Sequence, residues 1–573
     1  MSSRRVTRAE GLNDRQIRAA VALIVVILGL ILLMWAWGAL AAAIAGHGPP
    51  ASVGESWKAA PRVLVHLHDP AAAWGAQRSQ LPGPGGMWAS LLILVVAALV
   101  AIVLVGTVAR ARRWSAPGIL KRPGRFAEWA KLSDLRPLMV QPDKHPGRVA
   151  LGTFKDQLLA AGEEASVLIV GATRSGKTAG ALIPALLEHD GPVIATSVKE
   201  DLLLTLPWRR NQGEVRIFDP TGAVDETTAG WSPVLAARDW RSARRTAHRL
   251  LHQGGVANQK DHDFWLKSGV RLLAPLLLAA HVDEGGMELV LEWLESGEQD
   301  EVEDALKQHE PAAEAARALS QIRSVWATEE RTRSSIVSTI AAGLEPYQDP
   351  EVLANELTQP ITPEWLLSGK NTVYVIAPAH EQERLRGVLV AMLTDLIDGA
   401  YVHAARQTNN RLRSTLLLAL DEVANIASLP DLDGIASTGA GAGIKLVSGV
   451  QNVAQLQERW GKDKAETILA NHVARIFAGG IADEAGLNYL RTVAGEEEVD
   501  SVSRSQGGAM GGQTSYGTTF RPLIDGPVAR QTREFSALLI YGRLPPARIA
   551  LRPWFLDDRL RGRVEYDEED LAA

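Results

Sequence analysis

The chain of 573 residues has no cysteine. This excludes disulfide frameworks, thiolate metal sites, cysteine nucleophiles and iron–sulfur clusters together. The composition of a disordered chain is also missing, since charged residues are 22% and hydrophobic residues 46%. At about 100–200 residues per domain, roughly two to four folding units fit. Nor is there a large excess of basic charge. The net charge is −6, which excludes a protein that simply coats nucleic acid. The balance is uneven: residues 1–125 hold 14 Lys/Arg against 4 Asp/Glu, a net of +10, and the rest of the chain carries −16. Any DNA contact must therefore use local basic groups, such as the lining of a channel.

What is present begins with apolar sequence. Ala19 to Gly54 and Ser79 to Ala109 carry no formal charge, and their apolar parts are residues 21–45 and 87–108. Each has more than 20 residues, about 30 Å or more as helix, the thickness of a bilayer core. Arg4, Arg5, Arg8, Arg15 and Arg18 precede the first stretch; Arg110, Arg112, Arg113, Lys121, Arg122 and Arg125 follow the second. Only Lys58, Arg62 and Arg78 lie between them. The positive-inside rule then predicts two transmembrane helices in the inner (plasma) membrane, with both termini cytoplasmic. Trp35, Trp37 and Trp88 are candidate interfacial anchors. The alternative, a signal peptide cleaved near Ala41-Ala42-Ala43, has an apolar core of only about 7–15 residues. The Pro/Gly-rich connection is too short for a substantial external domain. Residues 1–113 thus read as a membrane anchor, and the working part is cytoplasmic.

Ala165 to Val170 reads as a buried strand and runs into Gly171-Ala172-Thr173-Arg174-Ser175-Gly176-Lys177-Thr178. This is a complete G-x-x-x-x-G-K-T, followed by a helical pattern over Ala179–Glu188. Backbone N–H groups of such a loop cradle the phosphates of ATP, Lys177 reaches the β/γ oxygens, and the Thr178 hydroxyl ligates Mg²⁺. Gly369-Lys370 and Gly461-Lys462 lack the earlier glycine, so the chain has one P-loop. Leu416–Leu420 is an apolar strand ending in Asp421-Glu422. At a strand's carboxyl end Asp421 is placed for the Mg²⁺ shell, and Glu422 for polarising the attacking water. A third strand, Ile444–Val450, ends at Gln451-Asn452. The Gln451 amide there is either a reporter of the γ-phosphate or a solvated loop group. Gly439, Gly441 and Gly443 lack the spacing of a dinucleotide fingerprint and read as a flexible turn.

Together these pieces resemble the type IV coupling proteins of conjugation systems, the TraG/VirD-like ATPases that feed DNA to a type IV secretion channel. The resemblance is collinear from the two apolar stretches to about residue 556. It runs through Ile183-Pro184-Ala185-Leu186-Leu187, Phe218-Asp219-Pro220-Thr221-Gly222, Asp263-Phe264-Trp265, Asp421-Glu422, and Gln451-Asn452-Val453-Ala454-Gln455-Leu456. Trp460-Gly461, Asn471, Asp483 and Arg521-Pro522-Leu523 complete the order. There are departures. Ser197-Val198-Lys199-Glu200-Asp201 stands where the family has Asp-x-Lys-Gly-Glu, and residues 437–443 carry no arginine finger, for which Arg475 and Arg491 are candidates.

The resemblance implies an α/β, RecA-like P-loop ATPase domain (residues 114–255 and 356–556) and an inserted all-α domain (256–355); residues 557–573, with Glu565, Asp567, Glu568, Glu569 and Asp570, read from composition as an acidic tail. It also implies a homo-hexamer, with DNA as a relaxase–DNA complex, relaxosome proteins and secretion-channel components as partners. Helical periodicity over 256–355 supports the insertion independently. Asp283 to Glu310 holds eleven acidic residues against Lys307 alone, which is either a solvated helix face or a docking surface for a basic partner. Gly507 to Gly517 reads as a mobile loop. The rival functions are a nucleotide-dependent adaptor that recruits protein without pumping DNA, and a septal-type DNA translocase. The latter usually adds a C-terminal reader, for which no room follows residue 556.

Overall fold

A computed structural model describes residues 32–49, 58–115, 127–141, 147–252, 262–426, 428–505 and 513–564. The chain divides into two units, Met1–Arg122 and Pro123–Ala573.

In the first unit the stretch expected as the second span lies wholly within the helix Pro84–Ser115. Of the expected first span, residues 21–31 lie outside the described residues, and the remainder forms the helix Leu32–Ile44. Among the described residues of the connection, Ala59–Val65 and Pro70–Gln80 are helical, the latter kinked at Gly75. One expectation fails here. Trp37 is no interfacial anchor: it is 3% exposed, and its Nε1 donates to the Met87 carbonyl (2.9 Å) and Ser90 Oγ (3.2 Å). Its ring meets Trp74 edge to face at 5.6 Å, and Gly38 makes room for Trp74, whose Nε1 would lie 2.9 Å from an added Cβ.

The second unit is built on an eleven-stranded sheet. Its strands are β1 (Ala150–Phe154), β2 (Gln157–Ala160), β3 (Val167–Val170), β4 (Val193–Ser197), β5 (Val215–Phe218), β6 (Thr372–Ile376), β7 (Leu416–Leu420), β8 (Ile444–Val450), β9 (Ala474–Ala478), β12 (Ser536–Tyr541) and β13 (Ala547–Ala550). β10 (Glu496–Ser505) and β11 (Gln513–Pro522) form a separate hairpin. The spatial order is β2-β1-β13-β12-β9-β3-β8-β7-β4-β6-β5. From β9 to β5 every pairing is parallel, and from β9 outward to β2 every pairing is antiparallel. Every residue of β3, β4, β6, β7, β8 and β9 is buried. Parallel strands covered on both faces need such unbroken apolar runs, which is why these segments are legible in sequence. Alternate residues feed two cores: Leu168 and Val170 enter one, Val167 and Ile169 the other.

Between β5 and β6, which are neighbours in the sheet, the chain is helical from Pro233 to Leu367 among the described residues. This run is longer at both ends than the 256–355 expected. Its helix His262–Val282 contributes Leu273 and Leu277 to the same core that Leu168 and Val170 enter, so the helices and one sheet face share their packing. Gly230 closes the neck of the excursion: its N–H donates to Thr358 O (2.7 Å) and its carbonyl accepts from Ile361 N (2.8 Å). A Cβ at Gly230 would lie 1.8 Å from Asn355 O, so only glycine fits there. The helix Gln382–Ala405 has the length and apolarity of a membrane span, yet Leu389, Met392, Leu393 and Leu396 on it are fully buried core residues.

Three further expectations are corrected. Gly439 and Gly441 lie in the helix Leu432–Ala442 rather than in a flexible turn, and Gly443 caps it in the left-handed region at φ +84°. The tail does not begin at residue 557. Asp557 pairs with Arg552 (2.7 Å), and Leu560 and Val564 are buried; residues 565–573 lie outside the described residues. Of the expected mobile loop 507–517, residues 513–517 are paired strand and 507–512 lie outside the described residues.

Candidate nucleotide site

The strand β3 sits between β8 and β9, so the loop that leaves it opens in the interior of the sheet at the strands' carboxyl ends. The following helix starts with a wide turn at Thr178–Leu182 and continues as Ile183–Glu188. The glycines of the loop are needed for space. A Cβ at Gly171 would meet Ser175 Oγ at 2.5 Å and Ala478 Cβ at 2.8 Å. Gly176 adopts φ +83°, and a Cβ there would meet the Phe535 ring at 2.7 Å.

Lys177 is 5% exposed and folds over the loop, its Nζ donating to the Gly171 carbonyl and lying 3.6 Å from Glu422 Oε1. Thr178 Oγ1 donates to Asp421 Oδ2 at 2.8 Å, across 243 residues of sequence. Asp421 Oδ1 accepts the Glu422 N–H at 3.1 Å, and it fits only because residue 449 is glycine; an added Cβ would stand 2.9 Å away. Burial pushes the Asp421 carboxyl above the usual carboxylate range, against the pull of Thr178 and Lys177. Glu422 is raised as well, first by burial, with Lys177 pulling down, Asp421 pushing up and the Gln451 amide pulling down. Two buried oxygens here have no hydrogen-bond partner within the protein, Glu422 Oε2 and Ser175 Oγ.

The sequence-predicted residues Gly171–Thr178, Asp421, Glu422 and Gln451 thus meet at the ends of β3, β7 and β8. Two members of the cluster were not anticipated. Gln455 Oε1 accepts the Gln451 backbone N–H (3.1 Å), and its Nε2 donates to Asn425 Oδ1 (3.0 Å). Gln455 therefore ties the end of β8 to the turn after Glu422. It stands in the first turn of the helix Val453–Trp460, capped by Asn452, and from there its side chain reaches back to the N–H just before the cap. Among the arginine-finger candidates, Arg475 is 8% exposed and its Nη1 donates to Tyr489 Oη (2.7 Å), so it serves this subunit's own core; Arg491 is exposed. Asp219 accepts from the backbone N–H groups of Thr221 (3.0 Å) and Val224 (2.8 Å), and Asp483 caps the helix Glu484–Ala494. Both shape the backbone. The Asp263 side chain lies outside the described residues.

A family model described as "Type IV secretory system Conjugative DNA transfer" matches residues 123–569. The conjugal transfer protein TraG of Escherichia coli is 24% identical over 473 residues, 70% of this chain and 71% of that protein. Protein VirD4 of Rhizobium rhizogenes is 23% identical over 469 residues, 79% of this chain and 66% of the relative. Among solved structures, the unbound bacterial conjugative coupling protein TrwBdeltaN70 superposes with a TM-score of 0.56 at 17% identity, covering 76% of this chain and 93% of that one. TrwB in complex with ADP and Mg²⁺ gives 0.55 at 17% identity, over 75% and 94%. These superpositions show a shared fold.

Proposed function

The chain belongs to the type IV secretory system conjugative DNA transfer family, and on that premise we propose that it is a membrane-anchored coupling ATPase. It recruits a relaxase–DNA complex to a type IV secretion channel and drives transfer by ATP hydrolysis. The observation that carries this reading is the convergence of Lys177, Thr178, Asp421, Glu422 and Gln451 at adjacent strand ends. TrwB, a coupling protein of the same fold, has been solved in complex with ADP and Mg²⁺ and with non-hydrolysable ATP and GTP analogues.

In this reading the N–H groups of Gly171–Thr178 hold the triphosphate, with Lys177 leaving the Gly171 carbonyl to meet it. Ser175 Oγ, buried and unpartnered, supplies a further donor. The residues present fit Mg²⁺: Thr178 Oγ1 and Asp421 Oδ2 are hard oxygen ligands already 2.8 Å apart. When bound, the ion neutralises charge on the β/γ-phosphates. Glu422 accepts the proton of the attacking water at its buried, unpartnered Oε2, and Gln451 beside it senses the γ-phosphate. Two transmembrane helices within residues 1–113, with cytoplasmic termini, hold the subunits in a plane where six form a ring. Residues 256–355 form an inserted all-α domain that meets the cargo.

The test is a mating assay with a disrupted allele beside ATPase measurements on the purified chain. A coupling ATPase gives no transfer without the gene and gives DNA-stimulated, steeply concentration-dependent hydrolysis. Transfer at the parental frequency, or hydrolysis indifferent to DNA, would return the chain to the adaptor reading.

A further inference from the structure

Aromatic residues are only 5% of the chain, with eight phenylalanines, and one of the eight, Phe535, stands at the phosphate loop. The Phe535 ring packs against Gly176 so closely that an added Cβ would lie 2.7 Å from it. Phe535 meets Phe555 edge to face at 5.7 Å, and Phe555 meets Trp554 in the same way at 5.7 Å. Trp554 is buried, whereas Phe535 is only half-buried. The aromatic ladder is thus anchored at one end and open at the other, beside the loop.

The backbone under Phe535 is unusual. Ser536 N donates to Arg533 O (2.9 Å), closing a turn in which Phe535 is the third residue with φ +53°. That position favours glycine or asparagine, and a bulky side chain there is strained. The Phe535 carbonyl, accepting from Leu551 N at 2.7 Å, helps hold it. Strain of this kind persists where the placed side chain has work to do.

The side of the loop matters too. Asp421, Glu422 and Gln451 come from the ends of β7 and β8, on one flank of β3. Phe535 precedes β12, beyond β9 on the other flank. A nucleotide whose γ-phosphate points to Glu422 directs its base away from that cluster, toward Phe535. We propose that the Phe535 ring is the platform on which the nucleobase stacks, and this rests on the nucleotide-site reading above. Stacking reads the face of a base rather than its edge, so the platform accepts adenine and guanine alike.

The experiment is binding of ATP, GTP and tripolyphosphate, with Mg²⁺, to the full-length protein in detergent, comparing the parent with Phe535→Leu and Phe535→Tyr. Tripolyphosphate carries the phosphate chain of the nucleotide without the base. The expectation is that Phe535→Leu weakens ATP and GTP by about five- to a hundredfold, as loss of one stacked base does. Tripolyphosphate affinity stays the same, and Phe535→Tyr stays within about twofold of the parent for all three ligands. Equal losses for ATP and tripolyphosphate would overturn the proposal, because the ring would then only support the loop. Unchanged ATP affinity in Phe535→Leu would overturn it as well. Failure of the parent to bind either ligand is a different result, since it removes the nucleotide site itself.

Discussion

Glu422 holds a backbone conformation that glutamate seldom takes, with φ +49°. The strain sits in a turn fixed from both sides: Asn425 N donates to Glu422 O (2.8 Å), and Val423 N to Gly449 O (2.9 Å). The carboxylate is therefore placed by the sheet rather than by its own rotamer preference. If it is the general base, Glu422→Gln should bind ATP with near-parental affinity and lose roughly 10²–10⁴-fold in turnover. Lys177→Ala should instead weaken nucleotide binding itself. Parental hydrolysis by Glu422→Gln would remove that role from the residue. Its raised pKa adds a second expectation. A base works only when ionised, so turnover should fall as pH drops through a value above the ordinary glutamate figure of about 4.3. A kcat–pH profile with an acid limb at or below that figure would contradict it.

Among the elements, the helices Met287–Ser296 and Asp300–Gln308 carry the acidic run, and Glu292, Glu295 and Asp300 are exposed on them. Not all of this charge is free. Glu303 pairs with Arg323, Asp304 pairs with Lys307 (2.7 Å), and Glu301 accepts from Trp293 Nε1 (3.1 Å). If this face docks the basic cargo proposed above, reversing the three exposed carboxylates to Lys should reduce binding of a purified cognate substrate and flatten its salt dependence, because such charges act on encounter. ATP binding and thermal stability should change little, as exposed charges add little to folding. Titration at low and moderate salt checks this, and equal affinities with equal salt slopes would leave a solvated face. The elements also show where sequence is legible. β7 and β8 were readable to the residue because every position is buried. β1 and β13 are short and pair across the whole length of the unit, Thr153 opposite Ala550, so no local pattern sets their register. The glycines of Leu432–Ala442 hid a helix that tertiary packing imposes. Ile435, Ala436 and Gly439 are buried on it, and a Cβ at Gly439 would approach Ile444 O at 3.2 Å, so low helix propensity is overridden by close contact. At the site, the P-loop and the Asp-Glu pair were legible because their chemistry fixes residue types. Gln455 and Phe535 were not, since they act through contacts with residues distant in sequence or through a backbone angle.

At the scale of the whole molecule, the two units have separate cores. Met34, Trp37, Trp74 and Met87 pack in the first, while both faces of the large sheet are covered within the second. The cores of the second unit are thus built without residues 1–113. On the proposed reading of residues 1–113 as a membrane anchor, what they would supply is confinement: subunits held in one plane meet at a higher effective concentration without any new contact in the catalytic core. Arg475 serves its own subunit, and exposed Arg491 is the remaining candidate for a group offered to a neighbour, so full activity should depend on assembly. Deletion of residues 1–113 is accordingly expected to give a soluble, folded, chiefly monomeric protein with low ATPase activity. Its activity per subunit should climb steeply with protein concentration, and Arg491→Ala should flatten that climb without altering ATP affinity. Sedimentation and hydrolysis measured over the same concentration series check both expectations. A truncated chain that sediments as a stable hexamer at low micromolar concentration would mean that the ring is held by the catalytic units themselves, and that the membrane contributes location rather than assembly.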